Sequence, residues 1–215
     1  MGEAGASAPV RGKLLAMARL AEDMVERAVR ALLEGDAQLA AQVCADDDEL
    51  DAMEKEVDAL ALQLLAGNLP PADLRIVTLG LKISNDLERV GDQASSVAES
   101  VINLSQRAGW QAPLRQEIVA MGEKASLLLR ESIRAFAEND TALARQLIEQ
   151  DDQVDTLHTA HQAALVKMMQ SDTEAIAFYL DLGAIVKRLE RVADHATNIA
   201  EGVLVMNEAT EFTQL

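Results

Sequence analysis

The stretch "NDLERVGDQA" at residues 85–94 returns 102 positions later as "KRLERVADHA" at residues 187–196. Closer to the N-terminus of each half the likeness continues at an offset of 104, where "DDELD" (47–51) corresponds to "DDQVD" (151–155). The connection between the second and third helices is two residues longer in the first repeat, around "GNLPPAD", than in the second, around "QSD", which accounts for the change of offset. A single length difference confined to a loop is typical of a duplicated domain, so the chain is predicted to consist of two structural repeats.

Hydrophobic residues make up 49% of the chain but aromatic residues only 2%, so the apolar residues are mainly Ala, Leu, Val, Ile and Met. The chain lacks runs with the period-two alternation of strands, and its spacing predicts helices throughout. Asp36 and Asp140 are placed to cap the second helix of each repeat, and Pro70 and Pro71 interrupt the chain before the third. The predicted helices span 11–34, 36–67, 72–105, 113–138, 140–170 and 172–207.

Each third helix carries apolar residues at alternating spacings of four and three, from Ile83 to Leu104 and from Ile185 to Met206. This spacing is typical of a helix in the core of a bundle, and short loops make consecutive helices antiparallel neighbours. The sequence therefore predicts an all-α fold of two repeated antiparallel three-helix bundles related by a pseudo-twofold. An end-to-end arrangement of the long helices is one way to join them. The predicted boundaries are a disordered tail at 1–10, repeats at 11–106 and 113–208, and the linker "RAGWQAP" at 107–113.

The formal net charge is −17, from 36 acidic and 19 basic residues, and this excludes whole classes of partner. A nucleic-acid binder, or a protein held on an anionic membrane, needs a basic surface. The start of the chain has no signal-peptide pattern, and no apolar stretch is long enough to span a bilayer. We therefore expect a cytoplasmic protein without nucleic-acid partners, whose acidity serves solubility or, where the acids cluster, cation binding.

Pairs of acidic residues four apart occur on the second and third helices of each repeat, and residues four apart share one helix face. Counted from the turn between these two helices, Asp51 and Glu88 stand at nearly the same height, as do Asp47 and Asp92. In an antiparallel pair such residues lie within about one residue's rise, roughly 1.5 Å, of each other along the axis. The predicted metal-binding residues are Asp47, Asp51, Glu88 and Asp92 in the first repeat and Asp151, Asp155, Glu190 and Asp194 in the second.

Four carboxylates at close range repel each other unless a pKa rises, a base pairs with them or a cation binds. Arg89 follows Glu88 directly and points about 100° away from it, so it is predicted to be a poor partner. A hard cation with oxygen ligands, such as Mg²⁺, Mn²⁺, Ca²⁺ or iron, fits best, and four or more carboxylates allow more than one ion per site. The alternative is that the acids only decorate a solvated helix face. Lesser candidates are Glu54 and His158 on the acidic face, and Asp48 and Asp152 about 100° off it, where they could contribute to a multinuclear site. His161 and His195 are predicted to lie off the acidic face.

The stretches "DDELD" and "DDQVD", "LERVGD" and "LERVAD", within a twofold repeat of three helices, resemble the PhoU family over residues 11–207. The resemblance implies a regulator, not an enzyme, that restrains phosphate uptake and phosphate-starvation signalling. The partners it implies are the ATPase subunit of the phosphate ABC transporter and the sensor histidine kinase of the phosphate two-component system. The acidic pairs match motifs that hold metal ions in the family, so iron, manganese, magnesium or zinc is expected, in mononuclear or multinuclear sites.

One departure from the family pattern is Ala193, which stands where the motif usually has glycine. A homodimer is the expected oligomer. The alternative function is a di-metal carboxylate redox protein or a metal-storage bundle, and such bundles carry a Glu-x-x-His motif on each of two helices. Since this chain contains no Glu-x-x-His, the regulator is preferred.

Overall fold

The computed structural model describes residues 5–106 and 113–211, with side chains described as far as 207. A short 3₁₀ turn, Thr173–Ala175, precedes the last helix. No strand occurs within the described ranges, which confirms the all-α prediction. In the same residues, no helix is long and apolar enough to cross a membrane. The six helices are α1 Ala8–Glu34, α2 Ala37–Leu65, α3 Pro71–Ser105, α4 Arg115–Glu138, α5 Thr141–Ser171 and α6 Ile176–Glu211.

The turn between the first two helices has the same form in both repeats. It passes through the left-handed region at Gly35 (φ 70°) and at the equivalent Asn139 (φ 56°), the two residue types that adopt this conformation most readily. The carboxylate of Asp36 then accepts hydrogen bonds from two backbone N–H groups of α2, each at 2.9 Å, and Asp140 accepts one from α5 at 2.9 Å. Both predicted N-caps are therefore confirmed.

The first helix begins at Ala8 and not at residue 11, so the last three residues of the predicted tail belong to the bundle. Ser7, just before the helix, donates hydrogen bonds to Asp73 from its backbone N–H at 3.1 Å and its hydroxyl at 2.5 Å. This tie to the first turn of α3 joins residues far apart in sequence, which helix periodicity does not reveal. The first four residues of the tail and residues 107–112 of the linker lie outside the described residues.

The three helices of each repeat pack on one another, and the repeats join through two further contacts, α1 with α4 and α3 with α6. The long helices α3 and α6 run side by side in opposite directions. A β-carbon on Gly202, near the end of α6, would lie 2.6 Å from Leu79 near the start of α3. Farther along, His195 Nδ1 lies 3.0 Å from Asp86 Oδ1. The end-to-end arrangement of the long helices is therefore wrong.

The side-by-side packing of α3 and α6 follows from how α3 is buried. Every position of its predicted apolar seam, from Ile83 to Leu104, is buried, which confirms the seam. Residues off the seam are buried as well, among them Leu79, Ser84 and Ala98. A helix that is buried on more than one stripe needs neighbours on more than one side. The repeat's own α1 and α2 cover part of α3, and α6 covers the rest.

Candidate metal centre

The pairing of α2 with α3 sets the first acidic site. Cys44 Sγ lies 3.8 Å from the Ser95 carbonyl oxygen at one end of the site, and Asn85 Nδ2 lies 3.5 Å from Glu54 Oε1 at the other. These contacts fix an antiparallel register in which Asp51 stands opposite Glu88 and Asp47 opposite Asp92, as the comparison of heights predicts. The helix backbones thus bring the four first-repeat acids onto one shared face.

The first site is crowded with negative charge. Burial raises the pKa of Asp47, and the nearby Asp92 and Asp51 raise it further, against the lowering effect of a hydrogen bond with Ser95. Burial also raises the pKa of Glu88, and the charges of Asp92, Glu54 and Asp51 act in the same direction. Glu54, a lesser candidate from the sequence, therefore belongs to the same cluster.

Arg89 is a partner of this site, contrary to the sequence prediction. Its Nη1 donates a hydrogen bond to Asp92 Oδ2 at 2.9 Å, and its Nε lies 3.3 Å from Glu88 Oε2. The arginine side chain is long enough to lie along the helix surface and to reach Asp92, three residues toward the C-terminus. The direction of its Cβ alone does not predict this contact. It only partly neutralises the site, because Glu88 Oε2 is buried and accepts no hydrogen bond from the described residues.

The second repeat gathers the same four positions between α5 and α6. Burial raises the pKa of Asp151, opposed by a hydrogen bond with Thr197, and the charges of Asp155 and Glu190 raise it further. Burial also raises the pKa of Asp194, again with contributions from Glu190 and Asp151. All eight predicted residues therefore lie in two clusters, one in each repeat.

The two clusters differ in the residues that surround the shared acids. Lys187, at the position of Asn85, forms an ion pair with Glu190, which is only 7% exposed. His158, at the position of Glu54, places Nδ1 3.9 Å from Glu190 Oε1. The second cluster therefore contains an imidazole and an ammonium group that the first lacks.

Two histidines lie away from the acidic faces, as predicted, but the sequence did not reveal their surroundings. His161 is buried at 2% exposure, at the position that Val57 holds in the first repeat, and neither ring nitrogen has a hydrogen-bond partner among the described residues. His195 pairs with Asp86 across the contact between the repeats, where Asn198 Nδ2 also lies 3.3 Å from the same carboxylate oxygen. Aligning the repeats gives the only sequence signal for His161, since its counterpart is a core valine.

Whether the acidic clusters suit a metal depends on their donor chemistry. Among the side chains described, no group of three or more His, Cys, Asp or Glu stands in an arrangement that could hold an ion. The donors nevertheless fit an oxygen-preferring cation: they are carboxylates, they share one face, their pKa values are raised at Asp47, Glu88, Asp151 and Asp194, and Glu88 carries an unsatisfied buried oxygen. Rotation of side chains on the fixed helices is what binding would require. Metal binding by these residues stays a prediction.

Comparison with known families gives two matches along the chain. The model of the PhoU domain matches residues 14–101 and residues 118–203. Curated relatives include the phosphate-specific transport system accessory protein PhoU homolog of Pseudomonas aeruginosa, which is 37% identical over 204 residues, covering 94% of this chain and 84% of the relative. The protein of the same description from Rhizobium meliloti is 35% identical over 191 residues, covering 88% and 80%.

Solved structures match over the same extent. The crystal structure of PhoU from Pseudomonas aeruginosa superposes with a TM-score of 0.89 at 36% identity, covering 94% of this chain and 96% of that one. The phosphate transport system regulatory protein PhoU from Streptococcus pneumoniae gives a TM-score of 0.86 at 23% identity, covering 94% of each chain, and so supports the fold alone. These matches confirm the predicted two-repeat helical fold and the resemblance that the acidic motifs indicate.

Proposed function

Because this chain belongs to the PhoU family, we propose that it is an accessory protein of phosphate transport that restrains phosphate uptake and phosphate-starvation signalling. The observation that carries the proposal is the identity of 37% to a protein described as a phosphate-specific transport system accessory protein, over nearly the whole of this chain. The relatives are described as accessory proteins, so the proposal assigns no catalytic residue.

The proposed partners are the ATPase subunit of the phosphate transporter and the sensor histidine kinase, which the protein would join as an adaptor in the cytoplasm, as a homodimer. The charge distribution supports binding to basic surfaces. Residues 46–58 of α2 contain eight acidic side chains and one lysine. A surface of one sign speeds encounters with a partner of the opposite sign and disfavours partners of its own sign.

The proposal includes a cation in each acidic cluster. A bound cation supplies positive charge between two helices that otherwise repel each other. In the first cluster Asp47 and Asp51 would hold it from α2, and Glu88 and Asp92 from α3. In the second, Asp151 and Asp155 would act from α5, and Glu190 and Asp194 from α6. The resulting cross-link makes the relative position of two helices depend on the ion, which is how metal binding would affect a partner surface.

The proposal is tested by pull-down of purified, untagged protein with the transporter ATPase and with the sensor kinase, at high and low phosphate. Binding of both partners, changing with phosphate, is the expected result. Metal content of the same preparation is measured by elemental analysis, and the double variant D51N/E88Q should lose the metal of one cluster. The variant D58N, which removes one exposed charge from α2 outside the cluster, is the control. Absence of binding to both partners would contradict the adaptor role.

A further inference from the structure

An open groove lies between the first half of α3 and the second half of α6, along the contact between the two repeats. Its volume is about 760 Å³, which is within the usual range of binding sites. The lining residues of α3 run from Leu74 to Asp86, and those of α6 from Asn198 to Met206. At a rise of about 1.5 Å per residue the α3 wall is roughly 18 Å long, or about three helical turns. Asp86, at the end of this wall, is engaged with His195 and Asn198.

The lining of the groove is mainly apolar. Leu79 and Ile83 line it from buried positions, whereas Leu74 and Val205 line it with 44% and 61% of their surface exposed. A β-carbon on Gly202 would lie 2.6 Å from Leu79 Cδ1, so a larger residue at position 202 would displace the leucine. Exposed apolar side chains beside a concave apolar surface are typical of a place where another molecule docks.

The repeat places an equivalent set of positions at the other end of the contact between α3 and α6, and these positions carry more polar residues. The lining residues Leu79, Gly202 and Val205 correspond to Asp181, Ser100 and Asn103. If the groove followed only from the packing of two like repeats, both sets of positions would be apolar. The packing of the repeats alone therefore does not account for the apolar lining of this groove.

The α3 rim of the groove is basic, although the chain has a net charge of −17. Arg75 and Lys82 both line the groove, and their spacing of seven residues, two helical turns, places them on one face of α3. In the second repeat these positions hold Ala177 and Ala184. Lys82 is exposed and forms no ion pair within the part of the chain that the structure describes. The α6 rim carries Glu201, so the two rims differ in sign.

We propose that this groove binds an amphipathic helix of a partner protein, with acidic residues along the flank of that helix that faces Arg75 and Lys82. A helix bound in such a groove inserts apolar side chains at positions i, i+4, i+7 and i+11, and three turns supply all four. Carboxylates on the flank over α3 complement the two bases. Glu201 confines the acidic residues to that flank, because a carboxylate on the other flank would meet a like charge. The inference goes beyond the proposed function and does not depend on the proposed cations.

Two synthetic peptides test the charge preference. Each is about 18 residues long, or five helical turns, with leucines at i, i+4, i+7 and i+11. One peptide carries glutamates along one flank, and the other carries glutamines at the same positions. Because the protein is strongly acidic, its overall field disfavours the glutamate peptide. The groove should nevertheless bind the glutamate peptide about threefold more tightly, as two exposed ion pairs allow. Fluorescence anisotropy of labelled peptides with full-length protein measures both affinities, and the difference should shrink as salt is added.

Four variants locate the binding site. K82A installs the alanine of the second repeat and should abolish the advantage of the glutamate peptide, whereas K167A removes an exposed lysine of α5 and should keep it. V205N installs the asparagine of the second repeat and should weaken both peptides by about fivefold or more, because an apolar contact is lost. V166N changes a valine on α5 that is 50% exposed and should leave binding unchanged. Circular dichroism checks the folding of each variant, and the comparison of the two peptides needs only the wild-type protein.

Several outcomes would overturn the inference. These are absence of binding, equal binding of the two peptides by wild type, and an advantage of the glutamate peptide that K82A retains. Binding only after removal of residues 212–215 would assign the groove to the chain's own C-terminal segment. A wild-type dimer that V205N dissociates, measured by sedimentation, would assign the groove to a second copy. Each of these two results would also exclude the partner helix. Metal analysis and the pull-down with the transporter ATPase and the kinase test the proposed function separately.

Discussion

Leu50 and Gly91 meet where α2 crosses α3, and a β-carbon added to Gly91 would lie 2.3 Å from Leu50 Cδ2. The second repeat has Val154 and Ala193 at these positions, both buried. A larger residue on one helix is thus matched by a smaller one on the other, and the pair is exchanged as a unit between the repeats. The same β-carbon would lie 3.4 Å from Asp47 Oδ1, so the contact between Leu50 and Gly91 lies directly beside the first acidic cluster.

The variant G91A should therefore destabilise the protein by about 1–3 kcal/mol, the usual cost of inserting a methyl group into a packed core. L50V alone should cost roughly 1 kcal/mol through the space that it leaves. The double variant L50V/G91A reproduces the packing of the second repeat and should recover most of the loss. Urea unfolding of the four proteins measures the coupling free energy. Additive losses would show that the two residues do not share the space.

The charge crowding at Glu88 predicts opposite effects of E88Q with and without metal. Without divalent ions, E88Q should raise the free energy of unfolding by roughly 0.5 kcal/mol. The substitution removes the repulsion between Glu88 and the neighbouring carboxylates, and each such like-charge contact costs a few tenths of a kcal/mol. With a divalent ion at 100 times its Kd, wild type should gain about 2.7 kcal/mol from the occupied site, and E88Q should gain less. Thermal melts with a chelator or with Mn²⁺ measure both effects, and D58N serves as the control. An equal metal-induced gain in E88Q and wild type would contradict the assignment of Glu88.

His161 should make the protein less stable as the pH falls. Burial lowers the pKa of His161, opposed by the charge of Glu117 on α4 and assisted by His158. Below the ordinary value of about 6.5 the unfolded chain binds the proton more readily than the folded one, so the free energy of unfolding decreases as the pH falls. The variant H161V, which installs the valine of the first repeat, should remove the part of this pH dependence that comes from His161.

At pH 7 H161V should also raise the free energy of unfolding by about 1 kcal/mol, because two buried ring nitrogens without hydrogen bonds are removed. Urea unfolding of wild type and H161V at pH 7.0, 6.0 and 5.0 measures the difference between the two proteins, in which the titration of the acidic clusters largely cancels. A difference that stays constant over this range would contradict the buried, neutral histidine.

Asp73 ties the start of α1 to the start of α3, and D73N should loosen the first turn of α1. Hydrogen bonds from Ser7 to the carboxylate lower the pKa of Asp73, so this tie is present at neutral pH and is lost as the pH falls through the lowered value. Hydrogen exchange of the first turn of α1 should be faster in D73N than in wild type, while exchange in the middle of α3 stays the same. The variant S7A removes the hydroxyl donor but keeps the backbone one, so its effect should be smaller.

The sequence was sufficient for the helices and for the heights of the acids, since the rise per residue is fixed and the turns are short. It failed where rotation of a side chain decides the outcome. The direction of its Cβ predicts that Arg89 is a poor partner for the acids, but its flexible side chain reaches Asp92. The pair Asp86 and His195 depends on how two repeats dock, which the periodicity of either helix leaves undetermined. The docking of the two repeats also buries α3 on a second side, whereas the apolar seam of α3 predicts only one buried side.

The contacts of α1 with α4 and of α3 with α6 have a consequence for the origin of the chain. Leu79 fits against Gly202, and a β-carbon on Gly122 would lie 2.9 Å from Val29 Cγ2, so each repeat completes the core of the other. A half-length ancestor would have exposed this apolar surface, and pairing of two identical copies about an exact twofold axis would have covered it. Fusion of two such copies into one chain would have freed the halves to diverge, so that a contact between two identical subunits became the contact between two unequal repeats.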